Sequence, residues 1–200
     1  MIKAKQNKLA VAFFKLYFSR GIKRHFSGFE VRGEVSLSNG KPVLLLCNHY
    51  TWWDGPWMYH LTHRYFGKNF YVMMLEETLS KNKILSWAGA FSINKKSRDI
   101  INSLDYAGKL LLKPENLLCI FPQGEFESQY VARPKFNKGF LRVLNANTQI
   151  ILACARTEYF DRKKPLVYIH LKEYEGLHAP DAIEAAFQEH YSRSHFQQLS

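Results

Sequence analysis

The 200-residue sequence predicts a single α/β domain, with a central mixed β-sheet flanked by helices and an amphipathic N-terminal helix. Three observations predict this class. Short apolar runs of strand length alternate with segments of helical periodicity, as expected when helices cover a sheet. No repeat, low-complexity tract or linker interrupts that order. A hydrophobic content of 46% over this length is enough to bury one sizeable core.

The first predicted element is an amphipathic helix over residues 9–18, which read LAVAFFKLYF. Ten apolar-rich residues are too few to cross a bilayer, which takes about twenty, and no signal-peptide cleavage site follows them. Short aromatic helices flanked by cations are typical of segments that lie in a membrane interface. We therefore predict a membrane-associating segment over residues 1–26, ahead of a main domain over 27–200. The alternative is a helix that packs on the domain's own core.

The formal charge of +11 predicts a negatively charged partner. Residues 1–25 contain seven of the lysines and arginines and no acid, interleaved with large aliphatic side chains and without a nucleic-acid recognition motif. The sequence thus favours membrane lipids over nucleic acid, with reversible, peripheral binding at the cytoplasmic face. Cys47, Cys119 and Cys154 fall inside apolar runs, which predicts buried thiols in a reducing compartment.

The following segments predict the sheet and its helices. Residues 29–35 alternate between apolar and polar side chains, and Asn39-Gly40 then predicts a tight hairpin into an apolar strand over 43–47. A helix is expected from Pro56, a good first-turn residue, to a stop at Gly67. Further strands are predicted over 69–74, 87–93, 117–121, 150–155 and 166–171, and further helices over 99–113, over 139–145 and after a cap at Asp181.

Between the strand over 43–47 and the helix at Pro56 lies the stretch NHYTWWDG, residues 48–55. A His and an Asp five residues apart cannot share one face of a continuous helix, but a bend between strand and helix can fold Asp54 back onto His49. A general base needs this arrangement, because the carboxylate fixes the tautomer and stabilises the imidazolium. The alternatives are that His49 and Asp54 only cap the two elements, or that Cys47 is a nucleophile. His60 and His63 lack a third metal ligand, which favours packing or surface roles.

Four blocks of sequence resemble the glycerolipid acyltransferase family. The first, Asn48-His49-x4-Asp54, matches the family's N-H-x4-D in full. The second, GAFSINK over residues 89–95, is similar to G-x-I/F-x-I-x-R with Lys95 in place of Arg. The third, FPQGEF over 121–126, resembles F-P-E-G-T-R and is followed by FNKG, similar to F-K-x-G. The fourth is an apolar strand over 150–155 without the usual Pro.

The resemblance implies an O-acyltransferase that uses no cofactor and no metal, with acyl-CoA or acyl-carrier protein as co-substrate. It implies His49 as general base, Asp54 as its orienting partner, and a lipid hydroxyl, of a lysophospholipid or a related lipid, as acceptor. Backbone donors for the oxyanion could come from the turn at Gly124. The substrate-binding residues carried over from the family are Lys95, Phe121, Pro122, Gln123, Gly124, Glu125, Arg133 and Lys138.

The third block departs from the family where the acceptor binds. Gln123 can still hydrogen-bond a hydroxyl, but Glu125 and Phe126 supply no cation where the family has Thr-Arg. A phosphate at this position would be repelled unless Lys95, Arg133 or Lys135 reached it. We therefore expect an acceptor other than a simple glycerol phosphate. Two alternatives stay open: a membrane-binding protein with this fold and no catalysis, and an acyl-thioester hydrolase.

Overall fold

The computed structural model describes residues 1–94 and 99–196. Its central feature is a seven-stranded sheet in the order β1-β7-β6-β2-β5-β3-β4. The strands are β1 (Gly28–Arg32), β2 (Val43–Cys47), β3 (Asn69–Leu75), β4 (Ala90–Ile93), β5 (Asn116–Ile120), β6 (Gln149–Glu158) and β7 (Leu166–Tyr174). The α-helices are α1 (Lys8–His25), α2 (Asp54–Leu61), α3 (Glu76–Lys81), α4 (Ile100–Leu110) and α5 (Pro180–Phe196).

Strand direction confirms the predicted mixed sheet. Strands β6, β2, β5, β3 and β4 run parallel to one another, whereas β7 is antiparallel to β6 and parallel to β1. The carboxyl ends of β6, β2 and β5 therefore meet at one edge of the sheet, where α/β folds commonly bind ligands.

The predicted hairpin between the first two strands is wrong. β1 pairs with β7, and β7 and β6 separate it from β2. Residues 39–40 do form a turn, with Gly40 at φ 74°, but a turn signal does not identify the partner of the strand before it. β1 ends at Arg32, and Gly33 follows it with φ 86°. The Cα of Gly33 lies against the backbone of Leu171, so a Cβ atom there would clash. Both the positive φ and the close approach favour glycine at this position.

Apolar residues alternate between the two faces of the sheet and bury a core on each. On β2, Leu45 packs with α1 and α2, whereas Leu44 and Leu46 pack with α4 and α5. Near-continuous apolar runs such as 43–47 are expected for parallel strands that are covered on both sides. The two covering layers thus divide the molecule into an α1–α2 face and an α4–α5 face.

The helix boundaries differ locally from the sequence expectations. The helix predicted from Pro56 begins two residues earlier and continues as a π-helical turn, Thr62–Phe66, to left-handed Gly67. A 3-10 helix, Lys138–Val143, replaces the helix predicted over 139–145. Asp181 is not the cap of α5 but lies in its first turn. A second 3-10 helix, Lys83–Ala88, takes the first two positions of the strand predicted over 87–93, which begins only at Ala90.

The N-terminal helix α1 has two apolar faces. Phe14, Phe18 and Ile22 are buried in the core of the α1–α2 face, so the predicted packing alternative is observed for this side. On the other side α1 exposes further large apolar residues, namely Leu9, Phe13, Leu16 and Tyr17. Contact with a membrane stays a prediction. Across the described ranges, 1–94 and 99–196, no helix has the length and apolar character to span a bilayer.

Candidate active site

His49 and Asp54 are in direct contact at the carboxyl end of β2. The Nδ1 atom of His49 lies 2.8 Å from Oδ2 of Asp54, as the bend between strand and helix predicted. The same oxygen accepts hydrogen bonds from the backbone N–H groups of Tyr50 (2.8 Å) and Thr51 (2.9 Å). These bonds, and not a cap on α2, account for the position of Asp54, because α2 has no side-chain cap. The contact leaves Nε2 of His49 as the ring nitrogen that can accept a proton.

Burial and hydrogen bonding act on Asp54 in opposite directions. Its side chain is completely buried, while that of His49 is 22% exposed. Burial raises the pKa of the Asp54 carboxyl, because the charged form loses its hydration. The bonds from His49, Thr51 and Tyr50 favour the charged form and limit that rise. An ionised carboxylate that is hydrogen-bonded to Nδ1 fixes the imidazole tautomer.

Asn48 fixes the backbone immediately before the imidazole. Its side-chain N–H donates to the carbonyl of Ala155 at 3.0 Å, and its Oδ1 accepts the N–H of the same residue at 2.7 Å. Asn48 is buried, so these two bonds replace water for both partners. The side chain extends the pairing of β2 with β6 by one position, which sets where the chain leaves the sheet.

The loop after β5 holds the backbone of His49 from the other side. The side-chain oxygen of Gln123 accepts the His49 N–H at 2.6 Å, and the Glu127 N–H donates to the His49 carbonyl at 2.9 Å. The Gln123 amide also donates to the Glu127 carboxylate. Gln123 is buried, and these two bonds hold its side chain between the His49 backbone and Glu127; its binding of an acceptor hydroxyl stays a prediction. β2 and β5 are parallel neighbours, which is why the two blocks meet.

Two phenylalanines enclose the His49 ring. Phe121 stacks on it with ring centroids 4.2 Å apart and an interplanar angle of 18°. Phe126 lies at the same centroid distance, tilted by 38°, and is 60% exposed. Phe126 occupies the position of the Arg in the F-P-E-G-T-R pattern. The surroundings of the imidazole are therefore aromatic where that pattern would place a guanidinium.

The other predicted substrate-binding residues are placed unevenly. Pro122 is buried and Glu125 and Arg133 are exposed, while Lys138 pairs with Asp181 of α5 at 2.7 Å. The N–H of Gly124, at φ 75°, donates to the Phe121 carbonyl at 3.0 Å, so it is not a free oxyanion donor. Lys95 lies outside the described residues.

Cys47 does not have the surroundings of a nucleophile. Its thiol is completely buried, and burial, followed by the nearby Cys119 and Asp54, raises its pKa well above the usual range. A thiolate is the reactive form of cysteine, and this environment suppresses it. Cys119 and Cys154 are buried as well, in agreement with the packing role predicted for all three.

Sequence reasoning missed the positioning roles of Asn48, Gln123 and Glu127. Asn48 and Gln123 belong to recognisable blocks, but a block does not state whether an amide faces a ligand or the backbone. Glu127 lies beyond the third block, and its bond to His49 depends on the adjacency of β2 and β5. Only the order of the strands could have revealed that contact.

Comparison with known proteins agrees with this geometry. A family model described as Acyltransferase matches residues 28–169, more than half of the chain. The crystal structure of the 1-acyl-sn-glycerophosphate (LPA) acyltransferase PlsC from Thermotoga maritima is similar in fold, with a TM-score of 0.65 and 14% sequence identity. That similarity covers 95% of this chain and 80% of the other. No curated protein matches the sequence significantly. By the extent of the family match, the chain belongs to the acyltransferase family.

Proposed function

We propose that this protein transfers a fatty acyl group from a thioester donor, acyl-CoA or acyl-carrier protein, to the hydroxyl of a lipid. The observation that carries the proposal is the contact between His49 and Asp54 at the edge of the sheet. His49 is the proposed general base and Asp54 the residue that orients it. The family match supports acyl transfer as the reaction class.

The proposed reaction is a single displacement. The acceptor hydroxyl attacks the thioester carbonyl carbon while Nε2 of His49 takes the hydroxyl proton, and Asp54 stabilises the imidazolium through Nδ1. As the tetrahedral intermediate collapses, the carbon–sulfur bond breaks and the thiolate takes the proton from Nε2. The products are an ester and a free thiol. No side-chain nucleophile takes part, which is consistent with the burial of the Cys47 thiol and the raised pKa that this burial causes.

The acceptor that the site favours is neutral next to its reacting hydroxyl. Phe126 lies against His49 where the family pattern has Arg, and the neighbouring Glu125 is exposed. A phosphate held here would meet a carboxylate and an aromatic ring instead of a guanidinium. A glycolipid, an aminolipid or a hydroxylated isoprenoid suits this arrangement better than lysophosphatidate does.

The protein acts at the surface of a membrane, held by the exposed side of α1. Leu9, Phe13, Leu16 and Tyr17 are between 53% and 85% exposed there, and α1 ends in the cations Lys23 and Arg24. Exposed apolar side chains among cations are the pattern of helices that bind anionic interfaces reversibly. Peripheral attachment to the cytoplasmic face would bring the active site to lipid acceptors.

The decisive experiment measures thiol release from acyl-CoA and ester formation with a panel of lipid acceptors. We expect His49→Ala to lower kcat/KM by about 10²–10⁴-fold, the usual contribution of a positioned base. Asp54→Asn should cause a smaller loss, and the exposed His178→Ala should match the wild type. Equal rates in wild type and His49→Ala would favour a non-catalytic membrane-binding protein. Release of free fatty acid without any acceptor would instead indicate a hydrolase.

A further inference from the structure

A groove lies between α1 and the loop that carries His49 and Asp54. Its volume is about 360 Å³ and its walls are mainly apolar, formed by Phe13, Leu16 and Tyr17 on one side and Trp52 on the other. All four side chains are exposed by more than half. An exposed wall of this kind, rich in aromatic rings, is typical of an interaction site.

The groove is built by a close approach of α1 to the active-site loop. The ring of Trp53 lies against Gly21, where an added Cβ atom would come within 3.2 Å of the indole. Trp53 also packs against Phe26 at 5.1 Å and against His25 at 5.2 Å between ring centroids. Glycine at position 21 therefore allows the loop to dock on the helix, which fixes the floor of the groove.

Two arginines line the same groove. Arg20 and Arg24 are exposed and lie four residues apart, so that their side chains point from one face of α1. Among the residues that the structure describes, no carboxylate pairs with either guanidinium, and residues 1–25 contain no acid at all. A planar guanidinium is well suited to bidentate contact with phosphate oxygens.

We propose that this groove binds one anionic phospholipid of the membrane surface, separately from the acyl acceptor. The phosphate of its headgroup contacts Arg20 and Arg24, and the upper part of its acyl chains lies against Phe13, Tyr17 and Trp52. Charge complementarity argues for this occupant, because two unpaired cations next to an aromatic wall match an amphiphile with one negative group. The inference rests on the proposed membrane contact of α1 and not on acyl transfer.

The first test compares binding to vesicles of phosphatidylcholine alone and of phosphatidylcholine with phosphatidylglycerol in a two-to-one ratio. We expect Arg20→Gln/Arg24→Gln to lower the partition coefficient onto the mixed vesicles about 30-fold, and to change binding to neutral vesicles less than about threefold. The matched control is Lys109→Gln/Lys113→Gln, which removes two exposed cations four residues apart in sequence from the end of α4 and the turn that follows it, on the opposite side of the sheet. An equal loss in this control would overturn the proposal, because net charge alone would explain it.

The second test locates the lipid and identifies its source. Quenching of tryptophan fluorescence by spin-labelled phosphatidylglycerol should exceed quenching by spin-labelled phosphatidylcholine at the same mole fraction, and Arg20→Gln/Arg24→Gln should abolish the difference. Equal quenching by the two lipids in the wild type would contradict the proposal. Displacement of the protein from mixed vesicles by inorganic phosphate, but not by chloride at equal ionic strength, would also overturn it by indicating a free-phosphate site.

These binding experiments do not test the proposed acyl transfer, and two further measurements distinguish the two proposals. His49→Ala should bind mixed vesicles like the wild type, and Arg20→Gln/Arg24→Gln should turn over a soluble short-chain acceptor at the wild-type rate in the absence of vesicles. A loss of binding in His49→Ala would show that the groove and the catalytic imidazole are one site, contrary to the proposal.

Discussion

The imidazole of His49 is held through its ring and through its backbone. Asp54 binds one ring nitrogen, Phe121 and Phe126 contact the ring, and Gln123 accepts the backbone N–H. These contacts suit the general base that we propose, because a base that is oriented before the substrate arrives loses little entropy in the reaction. At this scale Phe126 departs most from the family pattern, because it stands where that pattern has Arg and where we propose that the acceptor binds.

The residue-scale prediction is that Phe126→Arg shifts the acceptor preference toward phosphate. A guanidinium at position 126 would supply a charge-assisted hydrogen bond, which contributes about 1.5–3 kcal/mol. We expect kcat/KM for lysophosphatidate to rise about 10- to 100-fold relative to that for a neutral glycolipid acceptor. Competition between the two acceptors for limiting acyl-CoA measures the ratio directly.

Tyr130→Arg is the matched control for that substitution. Tyr130 is an exposed aromatic residue, at 71%, a few positions further along the same loop, so the variant adds the same charge without touching His49. It should leave the acceptor ratio unchanged. An unchanged ratio in Phe126→Arg as well would show that position 126 does not determine the acceptor.

At the scale of elements, the active site depends on which strands are neighbours. β2 and β5 are adjacent and parallel, so the residues after them, His49 and Phe121, come into contact although they are far apart in sequence. β6 flanks β2 on the other side and receives the side chain of Asn48. The loop that carries His49 and Asp54 is thus attached to β6 and to the segment after β5 as well as to its own strand, β2.

We predict that Asn48→Ala destabilises the fold by about 2–6 kcal/mol. The substitution leaves the buried N–H and carbonyl of Ala155 without partners, and each unsatisfied buried group costs about 1–3 kcal/mol. The midpoint of urea unfolding measures the loss, with exposed Asn147→Ala as a control. A midpoint equal to that of the control would mean that the bridge between β2 and β6 does not contribute to stability.

The sequence was sufficient to predict the class of fold, most strands and the contact of His49 with Asp54. Apolar runs identify parallel strands, and a five-residue spacing across a bend leaves few arrangements for the two side chains. The order of the strands could not be predicted in full. The alternating pattern of residues 29–35 is compatible with several partner strands, and the turn at Gly40 suggested β2, whereas β1 pairs with β7. The contact of Gln123 with the His49 backbone could not be predicted either, since an amide that bonds the backbone and one that binds a ligand look alike in sequence.

At the scale of the whole molecule, the two faces of the sheet are covered differently. The α4–α5 face carries a closed layer in which α5 buries Ile183, Phe187 and Tyr191. The α1–α2 face ends in the exposed apolar side of α1. His190 of α5 is buried against the sheet, where its Nε2 lies 3.0 Å from the His170 carbonyl.

Buried His190 predicts that stability falls with acid. Burial lowers its pKa, and the nearby Lys172 and Arg193 act in the same direction, so the folded protein binds this proton less readily than the unfolded chain does. As pH falls below about 6.5, the ordinary value for histidine, the unfolded state is protonated first and the free energy of unfolding decreases. One such group changes the free energy of unfolding by at most about 1.4 kcal/mol per pH unit.

His190→Gln should therefore reduce the dependence of stability on pH between 7 and 5. Urea unfolding at several pH values measures the slope, and the exposed His178→Gln provides the comparison. A slope that is the same in His190→Gln and in the wild type would assign the acid sensitivity to other groups, among them His60 and His63, whose pKa values burial also lowers.

Trp52 and His49 are three residues apart in one loop, the first 60% exposed beside α1 and the second at the edge of the sheet. The proposed anchoring surface and the proposed catalytic imidazole therefore belong to one loop, and we expect acyl transfer to take place while the protein remains adsorbed. Its velocity then follows the two-dimensional density of acceptor in the lipid film and not the bulk concentration.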